Sequence, residues 1–166
     1  MNKIVIVDDH SLFREGIKLL IENEGLGKVI AEAENGQEFL DILKVQNPDL
    51  VIMNMEIPIM GGLEATKNAL KMRPDLKILV LTMLTDMANY LDILNAGARG
   101  IILKTSGKTE FEKSIKIILS NENYYSYELL KEIMVNFNQK SLPSTINSIS
   151  IFGNSTNREK EVMEYS

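Results

Sequence analysis

Residues 47–54 read Asn47-Pro48-Asp49-Leu50-Val51-Ile52-Met53-Asn54, and residues 73–82 read Arg73-Pro74-Asp75-Leu76-Lys77-Ile78-Leu79-Val80-Leu81-Thr82. The two stretches share one design: a proline turn, an apolar run, then one uncharged polar residue. Proline cannot extend the helix before it, so each turn ends a helix and launches a strand, Leu50 to Met53 and Ile78 to Leu81. Working outward, Ile4-Val5-Ile6-Val7 is a β-branched run, Val29 to Ala33 a weaker one, and Gly100 to Leu103 a fifth. Helical spacing fills the intervals. Leu12, Gly16 and Leu20 share a face beside Phe13, Ile17 and Ile21, and Phe39, Leu40 and Leu43 point inward after Asn35-Gly36. Leu63 and Leu70 follow a break at Pro58 and Gly61-Gly62. Met87, Tyr90, Leu91 and Leu94 mark a helix ended by Gly97, and Phe111, Ile115, Ile118 and Leu119 mark the fifth. Strands that are apolar on both faces and separated by helices imply a parallel sheet covered on both sides. Right-handed crossovers then predict a doubly wound α/β fold, a flavodoxin-like five-stranded parallel sheet of order 2-1-3-4-5 with helices on both faces.

The chain has 166 residues, 45% hydrophobic and 25% charged, enough for one domain with a real core plus an appendage. Eighteen Lys and Arg against 23 Asp and Glu give a net charge of -5, which argues against DNA binding by this chain itself. With no Cys there is no disulfide framework, thiolate zinc site or Cys nucleophile. The apolar runs are strand-length, far short of the roughly 20 residues that span a bilayer. Asp8 and Asp9 interrupt any signal-peptide layout. A cytoplasmic protein with no membrane partner is the expectation.

The polar residues at the strand ends are the most informative pattern. Asp8-Asp9 follow the first strand, Asn54 the third and Lys104 the fifth, while Thr82 ends the fourth. Any one of these would suit a cap or a turn. Together they converge, because open parallel sheets bind ligands outside the carboxyl ends of their strands. Two carboxylates suit a hard divalent cation such as Mg²⁺. A Thr hydroxyl and a Lys ammonium suit phosphate oxygens. The chemistry implied is phosphoryl binding with Mg²⁺.

Competing motifs fail on spacing. Gly107-Lys108-Thr109 would need a Gly at position 102 to be a P-loop, and that residue is Ile102. Gly25-Leu26-Gly27 precedes a strand and lacks the third Gly of a dinucleotide fingerprint. A dehalogenase-type phosphatase needs acids one residue apart, whereas Asp8 and Asp9 are adjacent. His10, the one His, reads as a loop or first-turn residue.

The C-terminal part is organised differently. Tyr127, Leu130, Met134 and Phe137 are spaced like a short amphipathic helix. Asn138 to Thr156 is rich in Ser, Asn and Thr, as linkers are, and Arg158 to Tyr165 is again helical in pattern. The expected division is 1–121 for the globular domain, 122–155 for a short helix and flexible linker, and 156–166 for the start of a further, cut-off domain.

Val7-Asp8-Asp9-His10, Pro48-Asp49-Leu50-Val51-Ile52-Met53, Pro58 with Gly61-Gly62, Leu79-Val80-Leu81-Thr82, and Ala96-Gly97-Ala98-Arg99-Gly100 through Lys104 resemble the receiver domain of bacterial two-component response regulators. The resemblance covers residues 2 to about 121. Asn157-Arg158-Glu159-Lys160-Glu161-Val162-Met163 is similar to the opening of a NarL/LuxR-type helix-turn-helix domain. The architecture implied is receiver, linker and DNA-binding domain, with DNA a partner of the full-length parent only. The resemblance implies Asp9 as a direct Mg²⁺ ligand, Asp8 acting mainly through water, and the backbone carbonyl of Glu56 as a further ligand. It gives position 54 to the phosphoacceptor and contributor to the metal site. Thr82 would receive a phosphoryl oxygen, and Lys104 would pair with the phosphoryl group or the acceptor carboxylate. Implied partners are a cognate histidine kinase and a second copy, through the first and fifth helices or through the face of the fourth helix, fifth strand and fifth helix. Such a protein is a signalling switch, not a turnover enzyme.

Three departures matter. Asn54 stands where the family has Asp, and a neutral amide is a very poor nucleophile that also holds Mg²⁺ less well. Either the replacement is engineered, or this is a natural receiver working without phosphate as an interaction module. Ile101 stands where the family often has Tyr or Phe, so no ring is present there to rotate on activation. Met83 is bulkier than the small residue often found after the Thr.

Overall fold

Alternation along each strand decides which helix layer it feeds. In the computed structural model, which describes residues 1–83 and 87–136, the strands are β1 (Lys3–Val7), β2 (Lys28–Ala33), β3 (Leu50–Asn54), β4 (Lys77–Thr82), β5 (Gly100–Leu103) and β6 (Tyr124–Tyr125). They alternate with α1 (Ser11–Asn23), α2 (Gly36–Leu43), α3 (Gly62–Met72), α4 (Met87–Ala96), α5 (Lys108–Leu119) and α6 (Tyr127–Asn136). Val5, Val7, Val51, Met53, Ile78, Val80 and Ile101 face one layer, with buried residues of α2, α3, α4 and α6. Ile4, Ile6, Leu50, Ile52, Leu79, Leu81 and Ile102 face the other, with α1 and α5. This is the period of two that a sheet buried on both faces requires. Each such side chain contributes roughly 1.5–3 kcal/mol by leaving water.

The sheet order is β2-β1-β3-β4-β5-β6, and every pairing is parallel. The expected 2-1-3-4-5 arrangement is present, and a sixth strand extends it. β6 pairs Tyr124 with Gly100 and Tyr125 with Ile101 at the β5 edge. Two residues carry no periodicity to read, and the turn before them places Asn121 at φ 71. α6 then packs on α4 and β5, burying Leu129, Leu130 and Ile133 in the larger core cluster.

The inner faces of two helices match the spacing-based expectation except at the ends of the stripe. In α1, Ile17 and Ile21 are buried, whereas Leu12 is 81% exposed. In α6, Tyr127 and Met134 are exposed and Leu129 and Ile133 take the inner face. An apolar residue at each edge of the stripe makes neighbouring phases equally periodic, and contact with the sheet selects one. Phe137, the expected linker Asn138 to Thr156 and the helical pattern Arg158 to Tyr165 lie outside the described residues.

Gly62 shows why the double glycine follows β3. A Cβ there would stand 2.6 Å from the Asn54 carbonyl oxygen and 2.7 Å from the Met55 Cα. The start of α3 therefore lies against the end of β3, and Gly62 N–H donates to the Met55 carbonyl at 2.9 Å. We expect Gly62→Ala to destabilise by about 1–3 kcal/mol through overpacking against backbone, read as a lower urea midpoint.

β6 also links stability to alkaline pH. Tyr125 is buried and its hydroxyl donates to the Ala98 carbonyl at 2.9 Å. Burial pushes this phenol well above its ordinary value of 10.0, with Arg99 opposing. Because the folded value is raised, the stabilisation is fully present below the unfolded value of about 10 and is lost as pH climbs towards the folded one. Stability should fall above pH 10 or so, by up to about 1.4 kcal/mol per pH unit for this group. Urea titrations of Tyr125→Phe should show a shallower alkaline fall.

Candidate functional site

The residues singled out from sequence gather along the carboxyl edge of the sheet. β1 lies between β2 and β3, so the chain direction of winding reverses beside it and the adjoining loops part. Asp8 and Asp9 leave the end of β1, Asn54 and Thr82 are the last residues of β3 and β4, and Lys104 follows β5. Backbone bonds tie these ends together. Asp8 N–H donates to Ala33 O at 3.0 Å, Met55 N–H to Leu81 O at 2.9 Å, and Lys104 N–H to Thr82 O at 2.7 Å.

Asp8 is the buried centre of the cluster, its side chain 2% exposed. Its Oδ1 accepts from the His10 backbone N–H at 2.8 Å and lies 3.2 Å from His10 Nδ1. Its Oδ2 lies 3.1 Å from Lys104 Nζ, close enough for ion pairing but not aligned as a hydrogen bond. Lys104 is held in turn above the Phe13 ring, 4.4 Å from its centroid. Asp9 is more open and lies 3.5 Å from His10 Nδ1. Donor atoms of Asp8, Asp9 and His10 all fall within 4.8 Å of one another. His10 does precede α1 as expected, but its ring also borders both carboxylates.

Asn54 is buried, and its Nδ2 donates to the Glu56 carbonyl oxygen at 3.1 Å. Thr82 is turned elsewhere: its Oγ1 lies 3.2 Å from Met55 Sδ and 3.2 Å from Met83 O, one proton serving two acceptors. Lys104 is paired with Asp8, not with position 54. A buried carboxylate oxygen without a hydrogen bond and a second carboxylate beside it form an oxygen-rich donor set. That set fits a hard divalent cation. Asn54 subtracts one negative charge from it.

Arg14 escaped the reading of the sequence. Its Nη1 donates to the Asp8 carbonyl at 2.5 Å and its Nε to Glu32 Oε1 at 2.9 Å, so α1 clamps the main chain of the acidic pair against β2. Its target is a backbone oxygen, which no spacing rule reveals. Tyr90, seen only as a helix-face residue, is buried and its hydroxyl donates to the Met83 carbonyl.

Residues 4–116 match the response regulator receiver domain family. Among characterised relatives, the chain is 32% identical over 152 residues to response regulator GacA of Pseudomonas aeruginosa, covering 90% of this chain and 71% of that one. It is 33% identical over 134 residues to transcriptional regulatory protein DegU of Brevibacillus brevis, covering 78% of this chain but only 57% of that one. Among solved structures, a LuxR-family two-component response regulator from Aurantimonas sp. SI85-9A1 superposes with a TM-score of 0.77 at 33% identity. The match covers 82% of this chain and 97% of that one. No described helix is long and apolar enough to cross a membrane.

Proposed function

The chain belongs to the response regulator receiver domain family, and from that premise we propose that it is the receiving switch of a cytoplasmic transcription regulator whose phosphorylation step is blocked at Asn54. Receivers are signalling modules, and in this reading signal arrives from a cognate histidine kinase. The proposed division is 1–121 for the receiver, 122–155 for a short helix and linker whose first part, β6 and α6, packs back on the receiver's sheet, and 156–166 for the opening of a DNA-binding domain. DNA is then a partner of a full-length parent, and a second copy of the chain pairs through α1 and α5 or through α4, β5 and α5.

The observation that supports this reading is the set of polar residues at the carboxyl edge of the sheet, with an amide in place of a carboxylate at position 54. Asp8 and Asp9 follow β1 and Thr82 ends β4, the two strands that flank β3, and Lys104 follows β5, while Asn54 ends β3 with an amide. Asp9 would hold Mg²⁺ directly, Asp8 mainly through water, and Asn54 and the Glu56 carbonyl would complete the protein's share. Mg²⁺, when bound, supplies positive charge beside the oxygens of an incoming phosphoryl group. Lys104 adds a second positive charge, and Thr82 offers its hydroxyl to a phosphoryl oxygen. With an Asp at position 54, a carboxylate oxygen attacks phosphorus and the bond to the donor breaks: P–O in an acyl phosphate, releasing a carboxylate, or P–N in a phosphohistidine, releasing the imidazole. An amide oxygen, neutral and conjugated to nitrogen, does not do this. Comparing phosphoryl gain by this chain and by Asn54→Asp tests the reading.

A second reading is favoured by one contact. The Asn54 amide N–H bonded to Glu56 O is a bond an ionised Asp cannot make. It satisfies the Asn54 amide and the Glu56 carbonyl without a cation, as a phosphorylation-independent interaction module requires. Association with a partner that survives Asp9→Ala would support this reading, and Mg²⁺-dependent behaviour would support the first.

A further inference from the structure

We propose that Tyr90 on α4 is a positioning residue for Thr82, linking the movement of that hydroxyl to α4. The inference rests on the reading of Thr82 as the residue that receives a phosphoryl oxygen. Thr82 Oγ1 lies 3.2 Å from the Met83 carbonyl oxygen, and the Tyr90 hydroxyl donates to the same oxygen. A carbonyl oxygen has two lone pairs, so the two hydroxyls share one acceptor. In this arrangement Thr82 is turned towards Met83 and Met55, away from the role proposed for it at position 54.

For Thr82 to reach a phosphoryl group there, it must give up the Met83 carbonyl. Tyr90 makes that departure easier, because its hydroxyl still satisfies the oxygen that Thr82 leaves. The same bond holds the chain at Met83 to α4 while the Thr82 side chain turns. Tyr90 is only 1% exposed and sits in the core cluster that also contains Ile101, Tyr125, Leu129 and Ile133. A shift of its ring is therefore felt by β5, β6 and α6. Ile101 has neither ring nor hydroxyl to do this. The other buried tyrosine hydroxyls are committed elsewhere, Tyr125 to Ala98 O and Tyr124 to Glu110.

The test uses the full chain carrying Asn54→Asp, with beryllofluoride as phosphoryl mimic and hydrogen exchange of the α4 amides as the readout. Adding the mimic should change α4 exchange by about fivefold, the scale on which one hydrogen bond biases a two-state element. With Tyr90→Phe added, intact mass should still show phosphoryl gain from acetyl phosphate, while the α4 response drops below about twofold. Tyr125→Phe removes an equally buried hydroxyl on the same side of the sheet and should keep the full response. An undiminished response in Tyr90→Phe overturns the inference, as does equal loss in Tyr125→Phe, which would mark a general loosening of the core. If the Asn54→Asp chain takes up neither phosphate nor mimic, the reading of the site itself fails, and the inference falls with it.

Discussion

Incubated with Mg²⁺ and acetyl phosphate, the chain with Asn54 should gain no phosphoryl mass, whereas Asn54→Asp should gain one phosphoryl group. The difference comes from one functional group. A carboxylate with an ordinary pKa of about 3.9 is almost fully ionised at neutral pH and offers a charged oxygen. The amide offers none, and in this fold its nitrogen is occupied by the Glu56 carbonyl. The substitution has a second expected effect. Asp at position 54 would face the Glu56 carbonyl with an acceptor instead of a donor, and would stand as a third carboxylate near Asp8 and Asp9. Like charges and facing acceptors are relieved by a divalent cation, so the variant should be less stable than the parent without Mg²⁺ and more stabilised by it. If neither protein is phosphorylated, the site is a relic and function rests on protein contacts alone. Phosphate found on an Asp of the parent chain would mean that position 54 is not the acceptor.

Replacing Lys104 by Met should cost about 3 kcal/mol of stability at neutral pH in the absence of divalent cations, measured by urea denaturation. Lys104 is 17% exposed and Asp8 only 2%, so their 3.1 Å pair is buried. Removing one member of such a pair leaves the other charge in a poorly solvated place. Among the described residues, the contacts left to the Asp8 carboxylate are those with His10. Met keeps the volume and the contact with Phe13, which separates the loss of charge from the loss of packing. Mg²⁺ should recover more stability in Lys104→Met than in the parent, because the cation replaces the missing positive charge. The double variant Asp8→Asn with Lys104→Met should lose less than the single Lys104 variant. A single variant as stable as the parent would mean that water, not Lys104, solvates Asp8.

The frame of the molecule was readable from its residues because the signal and the constraint coincide. Proline turns at Pro48 and Pro74 launch strands whose ends are polar, and a parallel sheet must bring those ends to one edge. Five strands, five helices and the placing of Asp8, Asp9, Asn54, Thr82 and Lys104 at the carboxyl ends of their strands all follow from that rule. What escaped depends on three-dimensional contact. The two-residue β6 exists because the β5 edge was open and Tyr124 and Tyr125 could close it. The inner faces of α1 and α6 differ at the ends of the stripe because periodicity sets the line of an apolar stripe better than its limits. Arg14 and Tyr90 act on the carbonyls of Asp8 and Met83, and a backbone oxygen has no letter in the sequence. The proposed pairing of Lys104 with position 54 is likewise absent in the resting arrangement, where Asp8 holds the ammonium.

The bond from Met55 N–H to Leu81 O bears on how durable the Asn54 amide is. An asparagine ages into aspartate when the nitrogen of the next residue attacks its side-chain amide carbon and ammonia is lost through a cyclic imide. That nitrogen must be free to swing towards the side chain. Here it belongs to Met55 and is held in the sheet ladder by β4, while the Asn54 amide is buried and tied to Glu56. The architecture at the end of β3 thus also protects the amide from time: folded protein should keep Asn54 unconverted through storage, where unfolded chain should not.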